Sequence, residues 1–549
     1  MDFERVLEKC GNFGRYQIIL LLIFGYTNMM SSMHYFSQTL ISFTPNHWCY
    51  HEKLANLSYE HINLFYKNLN NPKCTLLDDI VNDTNPVVAK VGECNEWFYE
   101  REQGYESITS ELNWVCDRAY QSAVGKSFFY VGSVVGTILF GILADKYGRV
   151  PAIILTTLSG GLGDFMTAFV NDLPAFIVAR FISGLSNDTF FMLMFILVFE
   201  YLKPEKRTFG LNIITATFYC AGLMLSPWFA IWVGSWRKYL ILVSTPVLLV
   251  LVYPLVVCES ARWLLTQQNY SKAVECLKYV AKINKRKVDE SVFDEFVEFY
   301  KQKLIEEQKL DANKDTFLGM FSSPRLRKFT IILLIKSVII TMAYDIASRN
   351  MEGLGSSPFA LFSYSSICYI PGGLTIILFQ NVIGRKGMAC SSLFVGGLLT
   401  AVTGFLIAVL DRQTYALLLA IMVALGRYGA IVAYDAEAQY ATEIIPTSVR
   451  GRGVSNIHVV GYACSFLNAY VIYLGNFYKP LPSLFISFIM LVGAGLCLAL
   501  PETHGKKLPE SLSEGEVFGL NEDWYYFPCF ERKRRNSKIS GNVGNESKT

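Results

Sequence analysis

The sequence is 549 residues long, 52% hydrophobic and 17% charged, with a net charge of +3. Soluble domains are closer to a quarter charged, so this composition excludes an ordinary soluble protein. The small net charge gives no reason to expect a nucleic-acid partner, and we predict none.

Apolar stretches long enough to cross a bilayer core of ~30 Å recur along the chain. The first follows a charged amphipathic stretch and has no small-residue cleavage site behind it, so we interpret it as a span and not as a signal peptide. We predict twelve spans, at 17–40, 120–144, 150–170, 175–201, 208–233, 238–258, 328–348, 357–383, 387–410, 415–442, 450–475 and 481–500.

Three loop motifs occur once in each half of the chain at similar offsets. They are Glu200 with Arg207 and Glu443 with Arg450, Glu259-Ser260 and Glu502-Thr503, and Gly148-Arg149 and Gly384-Arg385. Two related halves can rock about a site held between them. The repeat therefore predicts an all-α membrane protein with twelve transmembrane helices in two pseudo-symmetric six-helix bundles, as in a transporter.

The spans divide the chain into five regions. We predict an N-terminal segment 1–16, a first bundle 17–258 that includes an extracellular loop 45–119, a helical linker 259–327, a second bundle 328–505 and a tail 506–549. Short basic connections follow spans 2, 4, 8 and 10, and the positive-inside rule places these on the cytosolic side. Both termini are then cytosolic, in a multi-pass protein of the plasma membrane.

The predicted outer loop carries twice as many acids as bases and holds four cysteines, Cys49, Cys74, Cys94 and Cys116. An even number of cysteines in an oxidising compartment indicates two disulfides, and three connectivities are open. Asn56 and Asn82 begin glycosylation sequons in the same loop.

The repeated loop charges lie at predicted helix ends. We expect Asp145, Arg149, Glu200 and Arg207 to tie the cytosolic ends of the first bundle together in one state, as a latch that opens in the other. Arg385, Glu443 and Arg450 are their counterparts in the second bundle, where Asn381 stands in place of Asp145.

The motifs resemble the major facilitator superfamily, and within it the organic ion transporter family of cation, anion and carnitine transporters. The strings that carry this resemblance are 3–17, 94–99, 259–264 and 501–505, together with the large cysteine-bearing loop after span 1. It covers residues 1–510 and is nearest to insect organic cation transporter-like members. Cys258 departs from the family pattern, which has proline there.

The resemblance also directs attention to the cavity. Relatives that move cations carry an Asp in span 11 and a Glu in span 8, where this chain has Tyr462 and Tyr369. Asp435 stands where relatives have a glutamine and Asp188 where many have a lysine, so both changes make the cavity more acidic. Since ionisable groups inside spans are costly, we predict that Asp188 and Asp435 contact a cationic substrate.

Aromatic side chains hold organic cations through cation–π contacts. On this basis we add Tyr35, Phe191, Tyr369 and Tyr462 to the predicted site, with His458 one turn before Tyr462. Asp345 and Arg349 are four residues apart and are expected to form a gate pair; Asp164 is expected to be structural.

We therefore predict a transporter of small organic ions, most readily organic cations or amines, that works by alternating access as a monomer in the lipid bilayer. An organic anion or zwitterion carrier that uses Arg349 is the alternative, and a transport-inactive receptor of the same fold is a third hypothesis. No catalytic motif, cofactor site or metal site is expected.

Overall fold

The computed structural model describes residues 2–11, 13–52, 58, 61–62, 73–77, 91–202, 204–310, 317–351, 354, 356–520, 522 and 526–527. The predicted sequons at Asn56 and Asn82 lie outside the described residues, as do residues 528–549 of the tail. Long helices run back and forth between two ends of the molecule. We name these the loop end, which carries 42–119, and the linker end, which carries the helices between 259 and 327.

The spans form because each is a long apolar stretch, and most end at a glycine, a proline or a short polar turn. They are helical at Arg15–Ile41, Tyr120–Tyr147, Arg149–Thr167, Leu173–Gly184 with Thr189–Tyr201, Pro204–Val233, Trp236–Val247 with Tyr253–Val256, Pro324–Arg349, Pro358–Ser365 with Tyr369–Ile383, Arg385–Val409, Ala416–Ile444, Arg450–Cys464 with Asn468–Leu474, and Leu481–Cys497.

Ten stretches among the described residues are long and apolar enough to cross a membrane. Two further helices complete twelve. Leu481–Cys497 is apolar but only 17 residues long, and Arg15–Ile41 has 27 residues but buries polar side chains such as Asn28 and His34. We number the twelve as spans 1 to 12 in chain order.

Two antiparallel strand pairs interrupt the all-α pattern in the loop after span 1. Asn46–Cys49 pairs with Trp97–Glu100, and Thr75–Leu77 pairs with Val91–Glu93. Disulfides join Cys49 to Cys94 and Cys74 to Cys116, which is one of the three connectivities left open by the sequence.

Polar bonds attach this loop to the first bundle. Glu111 accepts a hydrogen bond from the Trp236 indole at 2.6 Å and pairs with Arg237 at 2.8 Å. The Tyr105 hydroxyl donates to the Leu40 carbonyl at 3.2 Å. Towards the second bundle the loop makes a ring contact, between Tyr105 and Phe359 at 5.2 Å.

The linker helices pack on the first bundle. Glu290–Leu310 buries Phe293 and Phe296 in the same apolar cluster as the linker end of span 1. The Asn284 side chain accepts from the Tyr16 amide at 2.9 Å and donates to the Cys10 carbonyl at 3.0 Å. Short helices Phe3–Gly11, Ala261–Thr266 and Tyr270–Ile283 belong to this assembly, whereas Leu512–Val517 contacts span 7.

Candidate functional site

Span 4 is broken near its middle, at residues 185–188. Close packing accompanies the break, because Gly136 of span 2 lies so near that a Cβ there would be 1.8 Å from the Leu185 carbonyl oxygen. Asp188 starts the second half of the span in a left-handed conformation with φ 57°. Interrupted helices in membranes occur where the freed backbone is buried in protein or lines a cavity, so the break indicates a cavity beside Asp188.

Spans 8 and 11 also contain breaks, each a turn of 3₁₀ helix. Ser366–Cys368 interrupts span 8 directly before Tyr369, and Ser465–Leu467 interrupts span 11 three residues after Tyr462. Short 3₁₀ stretches within a helix often mark hinges. Predicted site residues thus lie at or beside breaks in three different spans.

Five half-buried tyrosines from spans 5, 7, 8, 10 and 11 surround this region, and we call them the tyrosine cage: Tyr219, Tyr344, Tyr369, Tyr434 and Tyr462. The Tyr369 ring lies 5.5 Å from that of Tyr219 and 6.2 Å from that of Tyr344, and the Tyr344 and Tyr434 rings are 5.2 Å apart. The hydroxyls of Tyr434 and Tyr462 are 3.1 Å apart. Tyr219 comes from the first bundle and the other four from the second, so the cage spans both halves.

The two predicted acids adjoin the cage. Asp188 interacts electrostatically with the hydroxyls of Tyr219, Tyr434 and Tyr462, and Asp435 with those of Tyr369 and Tyr434. Asp188 Oδ2 is buried without a hydrogen-bond partner. Asp435 is exposed although its neighbour Ala436 is fully buried, so its side chain points away from the packed face of span 10.

The other intramembrane acids are paired with cations. Asp164 accepts from Arg180 at 3.0 Å, Asp345 from Arg349 at 2.6 Å and Glu437 from Lys336 at 2.6 Å. Within the described part of the chain, neither Asp188 nor Asp435 has a basic side chain within 4 Å. Two carboxyl groups without a basic partner among the described residues therefore lie beside the tyrosine cage.

The remaining predicted substrate contacts, His458, Phe191 and Tyr35, lie in three different surroundings. His458 is half-buried and shares a helix face with Tyr462, four residues on. Phe191 lies away from the cage, because its ring stacks on Phe24 at 5.9 Å inside the core of the first bundle. Tyr35 is buried, and its hydroxyl donates to Asp345 at 2.6 Å.

Asp345 is the centre of a network that joins the two halves near the loop end. Its carboxylate accepts from Tyr35 and Tyr130 of the first bundle, each at 2.6 Å, and from Asn468 of span 11 at 3.0 Å. Arg349 bonds this carboxylate and also donates to Thr39 and to the Tyr35 carbonyl, at 2.7 and 3.0 Å. We call these residues the loop-end network. The Nε, Nη1 and Nη2 atoms of Arg349 thus each donate to another residue of the protein.

At the linker end of the first bundle, the repeated motifs form contacts within that bundle. Arg149 pairs with Asp145 at 2.8 Å. The Glu259 carboxylate accepts the backbone amides of Arg149 and Val150 at 2.8 and 3.1 Å. Glu200 accepts from the Ser260 hydroxyl. The side chain of Arg207, the fourth predicted member, lies outside what the structure describes.

The second bundle repeats the backbone contacts but changes the ion pair. Glu502 accepts the Arg385 amide at 2.9 Å, as Glu259 does for Arg149. Arg385 donates to neutral Asn381 at 2.9 Å and forms its ion pair with Glu443 at 3.0 Å. Arg450 does not join this pair; its Nε donates to the Ile445 carbonyl at 3.2 Å.

Sequence reasoning missed several residues of this region. Tyr219 and Tyr344 complete the cage, and the position of Tyr344 next to Asp345 was a usable signal. The spans also contain three basic residues that the same argument about costly charges should have selected: Arg180, Lys336 and Arg427. Arg427 is fully buried, donates to Ser365 at 2.7 Å and lies 5.9 Å from the Tyr369 ring centre.

Two six-helix halves that meet at a cluster of aromatic and polar side chains have the architecture of a transporter bundle. A family model described as Major Facilitator Superfamily matches residues 122–469. That match covers more than half of the sequence, and the chain belongs to the major facilitator superfamily.

Curated relatives match nearly the whole chain. The organic cation transporter-like protein of Drosophila melanogaster is 27% identical, over 94% of this chain and 93% of its own. Organic cation transporter 1 of Caenorhabditis elegans is 28% identical over 94% and 89%, and solute carrier family 22 member 2 of Homo sapiens 27% over 93% and 95%.

Among solved structures, the xylose transporter XylE of E. coli in an inward open conformation is similar in fold. It has a TM-score of 0.58 at 14% identity, over 90% of this chain and 99% of its own. The relatives and this structural neighbour are all transporters.

Proposed function

We propose that the protein carries small organic cations across the plasma membrane by alternating access and binds them in the tyrosine cage. The observation that carries the proposal is that Asp188 and Asp435 adjoin the cage without a basic partner among the described residues. The names of the relatives in fly and nematode support the same substrate class.

Cage and carboxylates supply complementary attractions. Each aromatic ring facing an organic cation contributes ~0.5–2 kcal/mol, and several rings converge on one space here. A carboxylate without a counter-ion is costly inside a membrane, so a bound ammonium group offsets that cost. Selectivity for cations over anions follows from the same two features.

The conformational cycle rests on the contrast between the two ends. In this structure the loop-end network joins the halves, while the ion pairs of the repeated motifs at the linker end, as far as the described residues show, stay within one half. We propose that the loop end is outside, because it carries the disulfides, and that the linker end and both termini are cytosolic. The conformer would then be closed to the outside.

The driving force need not involve a coupled ion. Moving one positive charge through 100 mV gains ~2.3 kcal/mol, which is sufficient to concentrate a monovalent cation. Rocking of one half against the other would expose the cage to each side in turn, and a monomer contains both halves.

Uptake of labelled tetraethylammonium into oocytes tests this proposal, with a labelled dicarboxylate as the opposite charge class. Asp435→Asn should raise the KM for the cation by roughly tenfold or more, because the free carboxylate is lost. Asp411→Asn is the matched control, since Asp411 is exposed beyond span 9 and its carboxylate accepts hydrogen bonds from Thr414. Unchanged cation uptake by Asp435→Asn at equal surface expression would contradict the assignment.

The anion alternative has less support from the geometry. Arg349 is the residue predicted to bind an anion, but it already donates hydrogen bonds to Asp345, Thr39 and the Tyr35 carbonyl. Substrate binding without flux would instead favour a receptor, and the same oocytes report it as saturable surface binding without accumulation.

A further inference from the structure

Two cysteines at the linker end lie outside the transport site and face one another. Cys258 directly follows span 6, and Cys276 lies in the linker helix Tyr270–Ile283. Both are half-buried free thiols, and both line one cavity of about 620 Å³. Their thiols are within hydrogen-bonding reach of each other.

Neighbouring contacts hold the pair in place. The Cys258 amide donates to the Tyr16 hydroxyl at 3.1 Å, and the Tyr16 ring lies 6.2 Å from that of Tyr279. Tyr279 is three residues after Cys276 on the linker helix, and its hydroxyl donates to the Leu255 carbonyl at 3.4 Å. The exit of span 6 and the linker helix are therefore positioned on both sides of the thiols.

The two thiols differ in character. The pKa of Cys276 is lowered, mainly because the Cys258 thiol donates a hydrogen bond to its sulfur and the Glu259 amide also donates to it. The pKa of Cys258 is raised by this same hydrogen bond and by burial. Lys272, four residues before Cys276, lines the same cavity and adds a positive charge. Burial and the charges of Glu259 and Glu275 act against this lowering of the Cys276 pKa. Thiolates are the reactive form of cysteine, so we write the reaction with Cys276 as the attacking thiol, and its balance is the same with the two thiols exchanged.

We propose that Cys276 and Cys258 form a redox modification site, in which a hydroperoxide of the cytosol oxidises the pair to a reversible disulfide. The cytosolic location rests on the topology proposed above, whereas the pairing itself does not depend on the substrate.

The chemistry balances with one hydroperoxide per pair. The Cys276 thiolate attacks the terminal peroxide oxygen, the O–O bond breaks, and the other oxygen leaves as an alcohol, or as water from hydrogen peroxide, with a proton. Cys276 then carries a sulfenic acid. The Cys258 sulfur attacks the Cys276 sulfur, the S–O bond breaks and water leaves. The two thiols lose two electrons and two protons, which the hydroperoxide takes up.

The consequence would be a covalent staple beside the linker-end contacts. Cys258 precedes Glu259, whose carboxylate caps the amides of Arg149 and Val150. A disulfide would fix span 6 to the linker helix. Since both belong to the first half, the bond should stabilise that half in every conformer. We therefore expect a higher melting temperature and an unchanged KM.

The test uses the purified full-length protein treated with hydrogen peroxide and then digested without reduction. Mass spectrometry should find the Cys258 peptide linked to the Cys276 peptide, and dithiothreitol should separate them. Oxidation should also raise the melting temperature of the purified protein by roughly a few degrees, because the bond closes a loop in the unfolded chain. Cys276→Ser and Cys258→Ser should lack this rise, while the matched control Cys390→Ser, a free half-buried thiol of span 9, should keep it.

The outcomes separate this inference from the proposed function. Absence of the linked peptides after oxidation would overturn the redox site, whichever substrate is carried. A linked pair with an unchanged melting temperature would overturn its effect on stability. Cation uptake that fails in every variant and before oxidation would instead contradict the proposed function.

Discussion

The two ends of the molecule hold their charges in opposite ways. At the loop end one buried carboxylate, Asp345, collects partners from both halves. At the linker end the ion pairs of Arg149 and Arg385 stay inside their own halves and are more exposed to water. A network that crosses between halves stabilises one conformer, whereas a pair inside a half stabilises that half in every conformer. We infer that contacts at the loop end set which conformer is preferred, whereas contacts at the linker end stabilise each bundle.

The largest effect is expected for Asp345→Asn. Removing one partner from a buried ion pair costs ~3–5 kcal/mol, because Arg349 would remain charged and buried. The loop end should then open, and a cysteine introduced by Thr39→Cys should react with a membrane-impermeant thiol reagent from outside. Glu437→Gln is the control, since its pair with Lys336 lies inside the second half. If both variants changed labelling equally, the comparison would fail.

Tyr130→Phe should have the next largest effect. It removes one cross-half hydrogen bond of 2.6 Å to Asp345 and keeps the ring, so a loss of ~1–3 kcal/mol is expected. The same labelling assay should show a partial opening. Tyr105→Phe removes an equally buried hydroxyl that bonds within the first half, and it should lower thermal stability without increasing the labelling.

At the linker end, Glu443→Gln should act more weakly. Its ion pair with Arg385 is partly exposed, and pairs near the surface contribute ~1 kcal/mol or less. We expect a lower melting temperature, read by fluorescence of the purified protein, with labelling at Thr39→Cys unchanged. A clear rise in labelling would mean that this pair also sets the conformer.

The smallest effect concerns the position that distinguishes the two motifs. Arg385 already lies 2.9 Å from the Asn381 oxygen, so Asn381→Asp should give it a second carboxylate. The substitution alone should change stability by ~0.5 kcal/mol or less, yet it should restore most of the stability lost in Glu443→Gln. If the double variant were no more stable than Glu443→Gln alone, the contact between residue 381 and Arg385 would contribute nothing to stability.

Much of the fold could be predicted because it depends on periodic or repeated features. Span lengths follow from bilayer thickness. The repeated Glu259 and Glu502 identify the two halves from the sequence alone. The breaks in spans 4, 8 and 11 were not predicted, since local helix propensity is overridden there by close packing such as that of Gly136 on Leu185. The small strands were missed because the loop that holds them has no clear periodicity.

The candidate site was predictable only in part. Asp188, Asp435, Tyr369 and Tyr462 could be chosen because ionisable and aromatic residues in spans are rare or costly enough to notice. Which acids lack a cationic partner could not be known, because pairs such as Glu437 with Lys336 join residues far apart in sequence. Phe191, an aromatic on the expected span, contacts Phe24 of the first bundle, so its part in the site stays a prediction.

The attachment of the disulfide-bonded loop has a practical consequence. Glu111, Trp236 and Arg237 fix it to the first half, while its ring contact with the second half, through Phe359, is apolar and can separate without leaving a polar group unsatisfied. The described part of the loop should therefore move together with the first half. An antibody raised against it would bind every conformer with equal affinity, and would serve as a neutral marker for imaging the full cycle.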